Sequence, residues 1–241
     1  LTYCALDEAL RPEGGTLPVI AQVRVDLARG IRLEDPRVIW RGSGLAHPEG
    51  PHLYRRGEWW YLLTAEGGTA RGHAVCAARS RAIDGPFEAA PANPIFSRRS
   101  TGFPVQNTGH ADLVERPDGT WAMVYLGVRP RGFTPGFHVV GRETFLARVA
   151  WVDDWPVVHT DDVLPTRPDT AFTDDFATAD LHPRWVSPHG PLPGPHPDGG
   201  LALGSHEFAV RVRDLRWRFE ARVDVSAAVA LRVRLDGQYW Y

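Results

Sequence analysis

The sequence contains no lysine: its 27 basic residues are all arginine, set against 29 acidic ones, for a formal net charge of −2. That balance gives no footing for a nucleic-acid surface, and we read the arginine bias as codon usage. Gly67-Gly68-Thr69 is not a phosphate loop, because neither a lysine nor a helix follows it. Two cysteines, Cys4 and Cys76, are too few for a disulfide framework, and no CxxC spacing points to a metal site. His47, His52, His73 and His110 lack the i, i+4 spacing of a zinc helix. There is no G-x-S-x-G elbow of a serine hydrolase. No apolar run approaches the roughly 18 residues a membrane span needs, so no membrane partner is expected. The chain also starts without a charged-then-apolar leader. Both ends fall inside strand-like segments, Leu1-Thr2-Tyr3-Cys4 and Gln238-Tyr239-Trp240-Tyr241, so the chain reads as a fragment of a longer protein. Cytoplasmic and secreted locations both stay open.

What is present is a chain of 241 residues, 43% hydrophobic and 10% aromatic, enough for one large domain or two smaller ones. Its first 167 residues carry an internal repeat. The stretch from Gly50 through Trp59-Trp60-Tyr61 to Leu63 lies over the stretch from Gly109 through Trp121 to Tyr125, each reading as strand, polar glycine turn and aromatic strand. A third and fourth strand follow each copy, His73 to Arg79 then Gly85 to Glu88, and Thr144 to Trp151 then Trp155 to Val158. The opening segment supplies the same second half, Ile20 to Leu27 then Pro36 to Trp40. Four-strand units of this kind predict the blades of a β-propeller; the alternative is a sandwich with coincidental hairpins.

The repeat places the polar residues. Glu49, between Pro48 and Gly50, sits in a tight turn just before the first strand of its blade, and His110 holds the matching place in the next. The innermost strand of a propeller blade lines the central channel, so both should face one pocket. Thr69 and His73 precede one third strand and Arg142 precedes the other.

The motifs Glu49-Gly50-Pro51-His52-Leu53-Tyr54, Ala65-Glu66-Gly67-Gly68-Thr69, Gly72-His73-Ala74-Val75, Thr108-Gly109-His110-Ala111-Asp112 and Gly141-Arg142-Glu143-Thr144-Phe145 together resemble glycoside hydrolase family 43. That is the five-bladed propeller family of β-xylosidases and α-L-arabinofuranosidases, and the likeness covers residues 17 to 165. The resemblance implies hydrolysis of terminal xylose or arabinofuranose from plant-type saccharides with inversion at the anomeric carbon. It implies Glu49 as general acid, Thr69 and Arg142 as sugar contacts, and His110 as the axial histidine that can touch sugar or a structural cation such as Ca2+. No cofactor is required by it. A carboxyl that protonates a leaving oxygen must keep its proton near neutral pH, through burial and a nearby negative charge. Arginine offers fixed donors to hydroxyls, and the many aromatic rings offer flat faces to sugars, although most of them read as core.

The family's base and its acid-tuning aspartate lie in motifs that precede residue 1. Asp7, Asp26 and Asp35 stand in other contexts, and Asp112, which could face the channel, is not the base in the matching motif. The second functional class is therefore a carbohydrate-binding propeller without catalysis. Beyond Pro165 the texture changes, and residues 168–241 resemble the start of the lectin-like β-sandwich that follows the propeller. Strands are expected over Phe208 to Arg213, Trp217 to Val225 and Ala228 to Leu235.

Overall fold

The computed structural model describes residues 1–7, 17–132, 137–138, 140–160, 171–178, 180–188, 190–204, 207–212, 217–224 and 230–233. Among them every regular element is a strand. The chain divides into two compact units, Leu1–Pro165 and Thr166–Tyr241. The expected boundary after residue 167 lies outside the described residues, as does the strand expected at the C-terminal end.

The first unit is built from three antiparallel sheets in sequence order. Strands β1 (Thr2–Asp7) and β2 (Leu17–Gln22) pair, and after a small hairpin of β3 (Val25–Asp26) and β4 (Ile31–Arg32), β5 (Arg37–Trp40) joins the far side of β2. The second sheet is the meander β6 (Glu49–Arg56), β7 (Trp59–Glu66), β8 (Ala74–Ser80) and β9 (Glu88–Ala89). The third repeats it with β10 (Gln106–Glu115), β11 (Trp121–Val128), β12 (Glu143–Val152) and β13 (Trp155–His159). The single strand expected from Ile20 to Leu27 is broken. β2 stops at Gln22, and the Asp26 carboxylate accepts the amides of Ala28 and Arg29, which turns the chain between β3 and β4.

Burial explains why three sheets stack. Along β7 and β8 almost every residue is buried, unlike the in-out alternation of a sheet with one wet face. Side chains alternate between two dry faces instead. Leu63, Val75 and Ala77 join Leu113, Met123 and Ala147 of the third sheet, while Leu62 and Ala78 join Ile20 of the first. The alanines of Ala74-Val75-Cys76-Ala77-Ala78 let neighbouring sheets approach closely. β10 lies against β7 and β8 just as β6 lies against β1 and β2. β1, β2 and β5 are therefore the second, third and fourth strands of a blade, and the three sheets are successive blades of a partial propeller.

In the second unit, β14 (Trp185–Val186) pairs with β15 (Ala209–Val210), and Trp185 stacks on Phe208 with ring centroids 4.2 Å apart. The Asp174 carboxylate accepts the Phe176 amide at 3.0 Å and the Trp185 indole N–H at 2.9 Å; these bonds, that to Phe176 first, hold it below the usual carboxylate range. The long strands expected here are shorter: Trp217–Asp224 has no ladder partner among the described residues, and of Phe208 to Arg213 only Ala209–Val210 pairs. Alternation of side chains proposes a strand, but only a neighbour's hydrogen bonds make one.

Candidate active site

Glu49 and His110 were expected just ahead of their strands, but both lie within them. Glu49 opens β6 and His110 is inside β10. β-bulges permit this. Glu49 pairs with Ala65 and His52 with Leu63, so three steps on β6 match two on β7; Gly109 to Asp112 spans Leu126 to Val124 in the same way. By this register Glu49 is the counterpart of Gly109, and Gly50 of His110, one residue off the sequence alignment of the two copies. Gly50 and His110 both adopt left-handed backbone, with φ of 54° and 49°.

The missing side chains on these bulges make room for histidines. A Cβ on Gly50 would lie 2.6 Å from His110 Nε2, and one on Gly109 would lie 2.4 Å from the His73 ring. His73 is buried at 1% exposure, and its Nδ1 stands 2.9 Å from the Asn107 carbonyl oxygen. Burial lowers the His73 pKa, and the nearby positive charges of His110 and Arg142 lower it further, against the Asn107 carbonyl and Glu49. The neutral ring then donates Nδ1–H to Asn107, which leaves Nε2 without a partner among the described groups.

A pocket of about 840 Å3 opens beside these residues. Glu49, Thr69, His110 and Arg142 line it together with His47, Asn107 and His138. Thus Glu49, Thr69, His110 and Arg142, named from four separate motifs, share one concavity. Arg142 Nη1 donates to Thr69 Oγ1 at 3.3 Å, joining two blades across the pocket mouth. Arg129 grips Glu143, the neighbour of Arg142, through two bonds of 2.8 Å, fixing the start of β12. His110 Nδ1 lies 3.9 Å from Glu49 Oε1. The Glu49 side chain is 42% exposed. Glu49 is the only carboxylate among the described lining residues. Asp112 turns elsewhere: it accepts the Tyr54 hydroxyl and lies 3.6 Å from His52 Nδ1.

Glu49, His73 and His110 each bring one donor atom within 4.8 Å of the others. Two imidazoles and one carboxylate suit a borderline ion such as zinc, whereas calcium takes about six to eight oxygens, which water would have to complete here.

His73 stands in a recognisable sequence motif, but its bond to Asn107 and the cluster around Glu66 are not visible in the sequence. An isolated glutamate at the end of an apolar strand carries no signal of the donors that meet it.

The sequence model of glycosyl hydrolases family 43 matches residues 13–156. A xylosidase/arabinosidase of Butyrivibrio fibrisolvens is 45% identical over 152 residues, which cover 59% of this chain and 29% of that protein. A non-reducing end alpha-L-arabinofuranosidase of Bacteroides ovatus is 42% identical over 142 residues, 58% of this chain and 26% of that one. The chain thus spans little more than a quarter of the length of these relatives. Among solved structures, a family-43 protein from a capybara gut metagenome superposes with a TM-score of 0.70 at 29% identity, covering 83% of this chain and 41% of that one. A xylan beta-1,4-xylosidase of Bacillus halodurans gives 0.62 at 30% identity, covering 76% and 37%. The match over residues 13–156, with blades that follow the solved members, establishes that this chain belongs to glycosyl hydrolases family 43.

Proposed function

We propose that the protein carrying this chain is a glycosidase that removes terminal xylose or arabinofuranose from oligo- or polysaccharides, with Glu49 as general acid. The convergence of Glu49, Thr69, His110 and Arg142 on one pocket carries this reading. Glu49 protonates the glycosidic oxygen as the bond to the anomeric carbon breaks, and the leaving sugar departs as an alcohol. Arg142 and Thr69 present directed donors to the hydroxyls of the terminal sugar, and their mutual bond sets their spacing. His110 stands beside Glu49 where it can meet the same sugar.

Inversion requires a second carboxylate about 6.5–9.5 Å from the first to activate water. In this reading an aspartate outside the chain supplies it, since Glu49 is alone among the described lining residues. The cation expected at His110 would be held by His110, His73 and Glu49. Xylose and arabinofuranose present similar hydroxyl patterns, so both stay within the proposal.

Aryl β-xyloside and aryl α-L-arabinofuranoside, followed by NMR of the first-formed anomer, test this on the protein that carries the chain. Turnover of either with inversion is the expected result. Retention would overturn the inverting route and its water-activating base, and binding without turnover would favour a carbohydrate-binding propeller.

A further inference from the structure

We propose that Glu66 is a positioning residue that sets where Glu49 stands, by gripping the loop that delivers it; this rests on the reading of Glu49 as the acid. Glu66 ends β7, next to Ala65, the ladder partner of Glu49, and its side chain is fully buried at 0% exposure. A carboxylate taken from water costs heavily unless its oxygens are matched by donors. Here four donors meet it. Oε1 accepts the Trp40 indole N–H at 3.3 Å and the Thr64 hydroxyl at 3.0 Å. Oε2 accepts the Ser43 hydroxyl at 2.7 Å, and the Ser43 amide reaches both oxygens, at 3.1 and 2.9 Å. All four come from neutral residues, so what the carboxylate holds is geometry rather than a counter-charge.

Two of the four belong to Ser43, inside the segment 41–48 that joins β5 to Glu49. No strand runs through that segment, and Gly42, Gly44 and His47 all have positive φ. Two of its fastenings come from the end of β7. Glu66 takes Ser43, and the next residue, Gly67, donates its amide to the Ala46 carbonyl at 2.5 Å. Three residues beyond Ala46 is Glu49, and two beyond Gly67 is Thr69, which Arg142 contacts. The Cys76 sulfur lies 3.2 Å from Ser43 Oγ, and burial pushes the Cys76 pKa up to about 12, so the thiol keeps its proton. Glu66 therefore ties the acid-bearing loop and the sugar-binding loop to one point in the core, and a misplaced acid loses rate steeply with distance.

Glu66→Gln keeps the shape but sets an amide N–H2 against donors, and Ser43→Ala removes one loop fastening at a half-buried site. Both are made in the protein that carries the chain. They are read by a series of aryl glycosides of differing leaving-group acidity and by hydrogen–deuterium exchange of residues 41–49, with Glu49→Gln run alongside. For Glu66→Gln we expect kcat/KM to fall about tenfold to hundredfold on poor leaving groups and less than about threefold on activated ones, with KM unchanged and faster exchange of the loop. Ser43→Ala should show the same pattern, weaker, and the double variant should be no worse than Glu66→Gln. Equal losses across leaving groups, or loop exchange unchanged in both variants, would overturn the proposal. If Glu49→Gln itself shows no leaving-group dependence, the acid reading fails separately, and the exchange of residues 41–49 alone decides whether Glu66 holds the loop.

Discussion

Replacing Gly109 by alanine tests the packing that holds the histidines. Gly109 lies outside the left-handed region, so alanine meets no backbone strain, and its effect is steric. The added Cβ would stand 2.4 Å from Cδ2, 2.5 Å from Nε2 and 2.6 Å from Cγ of His73, where ordinary contact begins near 3.4 Å. The ring must retreat by roughly 1 Å, yet it is buried and tied at Nδ1 to Asn107 over 2.9 Å. A shift of that size breaks the tie. Overpacking a core costs about 1–3 kcal/mol, and an unmet buried polar group costs about 1–3 kcal/mol more. We expect a loss of about 3 kcal/mol, measured by equilibrium denaturation of the protein that carries the chain. With the ring removed by His73→Ala, Gly109→Ala has nothing to strike, and its cost should drop below about 0.5 kcal/mol, a coupling of about 2 kcal/mol or more. Equal costs in the two backgrounds would mean that the His73 ring is not what the added Cβ strikes.

Three further outcomes follow from the same geometry. Arg142→Lys keeps the charge but loses the planar fork that reaches Thr69, so kcat/KM should fall at least about tenfold with little change in melting temperature; a melting loss large enough to explain the fall would make Arg142 structural. Burial lowers the His73 pKa in the folded state, so below the unfolded value of about 6.5 the unfolded chain takes up a proton that the folded one refuses. Stability should therefore decline as pH falls through and below about 6.5, by at most about 1.4 kcal/mol per pH unit from this group, and His73→Gln should flatten that part of the denaturation profile; an unchanged slope would contradict it. Residues 1–241 expressed alone should not turn over aryl xylosides or arabinofuranosides, because Glu49 has no opposing carboxylate among the described lining residues; measurable turnover would place the base within the chain.

The blades were legible because each hairpin carries its own punctuation. Arg56-Gly57-Glu58 and Pro117-Asp118-Gly119 are polar glycine turns, each followed by an aromatic-rich strand, and the strands form on either side of those turns. The bulges were not legible, because an inserted residue leaves composition unchanged and shifts only the pairing. For that reason the true counterpart of His110 is Gly50. Nor could sequence show that Gly109 has no side chain because His73 occupies that space, a contact across 36 positions of chain between two blades. Glu66 was hidden by its surroundings: Ala65 before it and Gly67 after it say nothing of Trp40 and Ser43, which arrive from the preceding sheet and loop. In the second unit the pattern at Trp217–Asp224 promised a strand that has no partner among the described residues.

Glu49 as the proton donor is the centre of the proposed activity. In the protein that carries the chain, kcat/KM of Glu49→Gln across aryl glycosides of graded leaving-group acidity measures that role. Proton donation by Glu49 gives a loss of about 10²- to 10⁴-fold on the poorest leaving group, shrinking steadily as the leaving group becomes more acidic. A uniform loss along the series, or none, would contradict it.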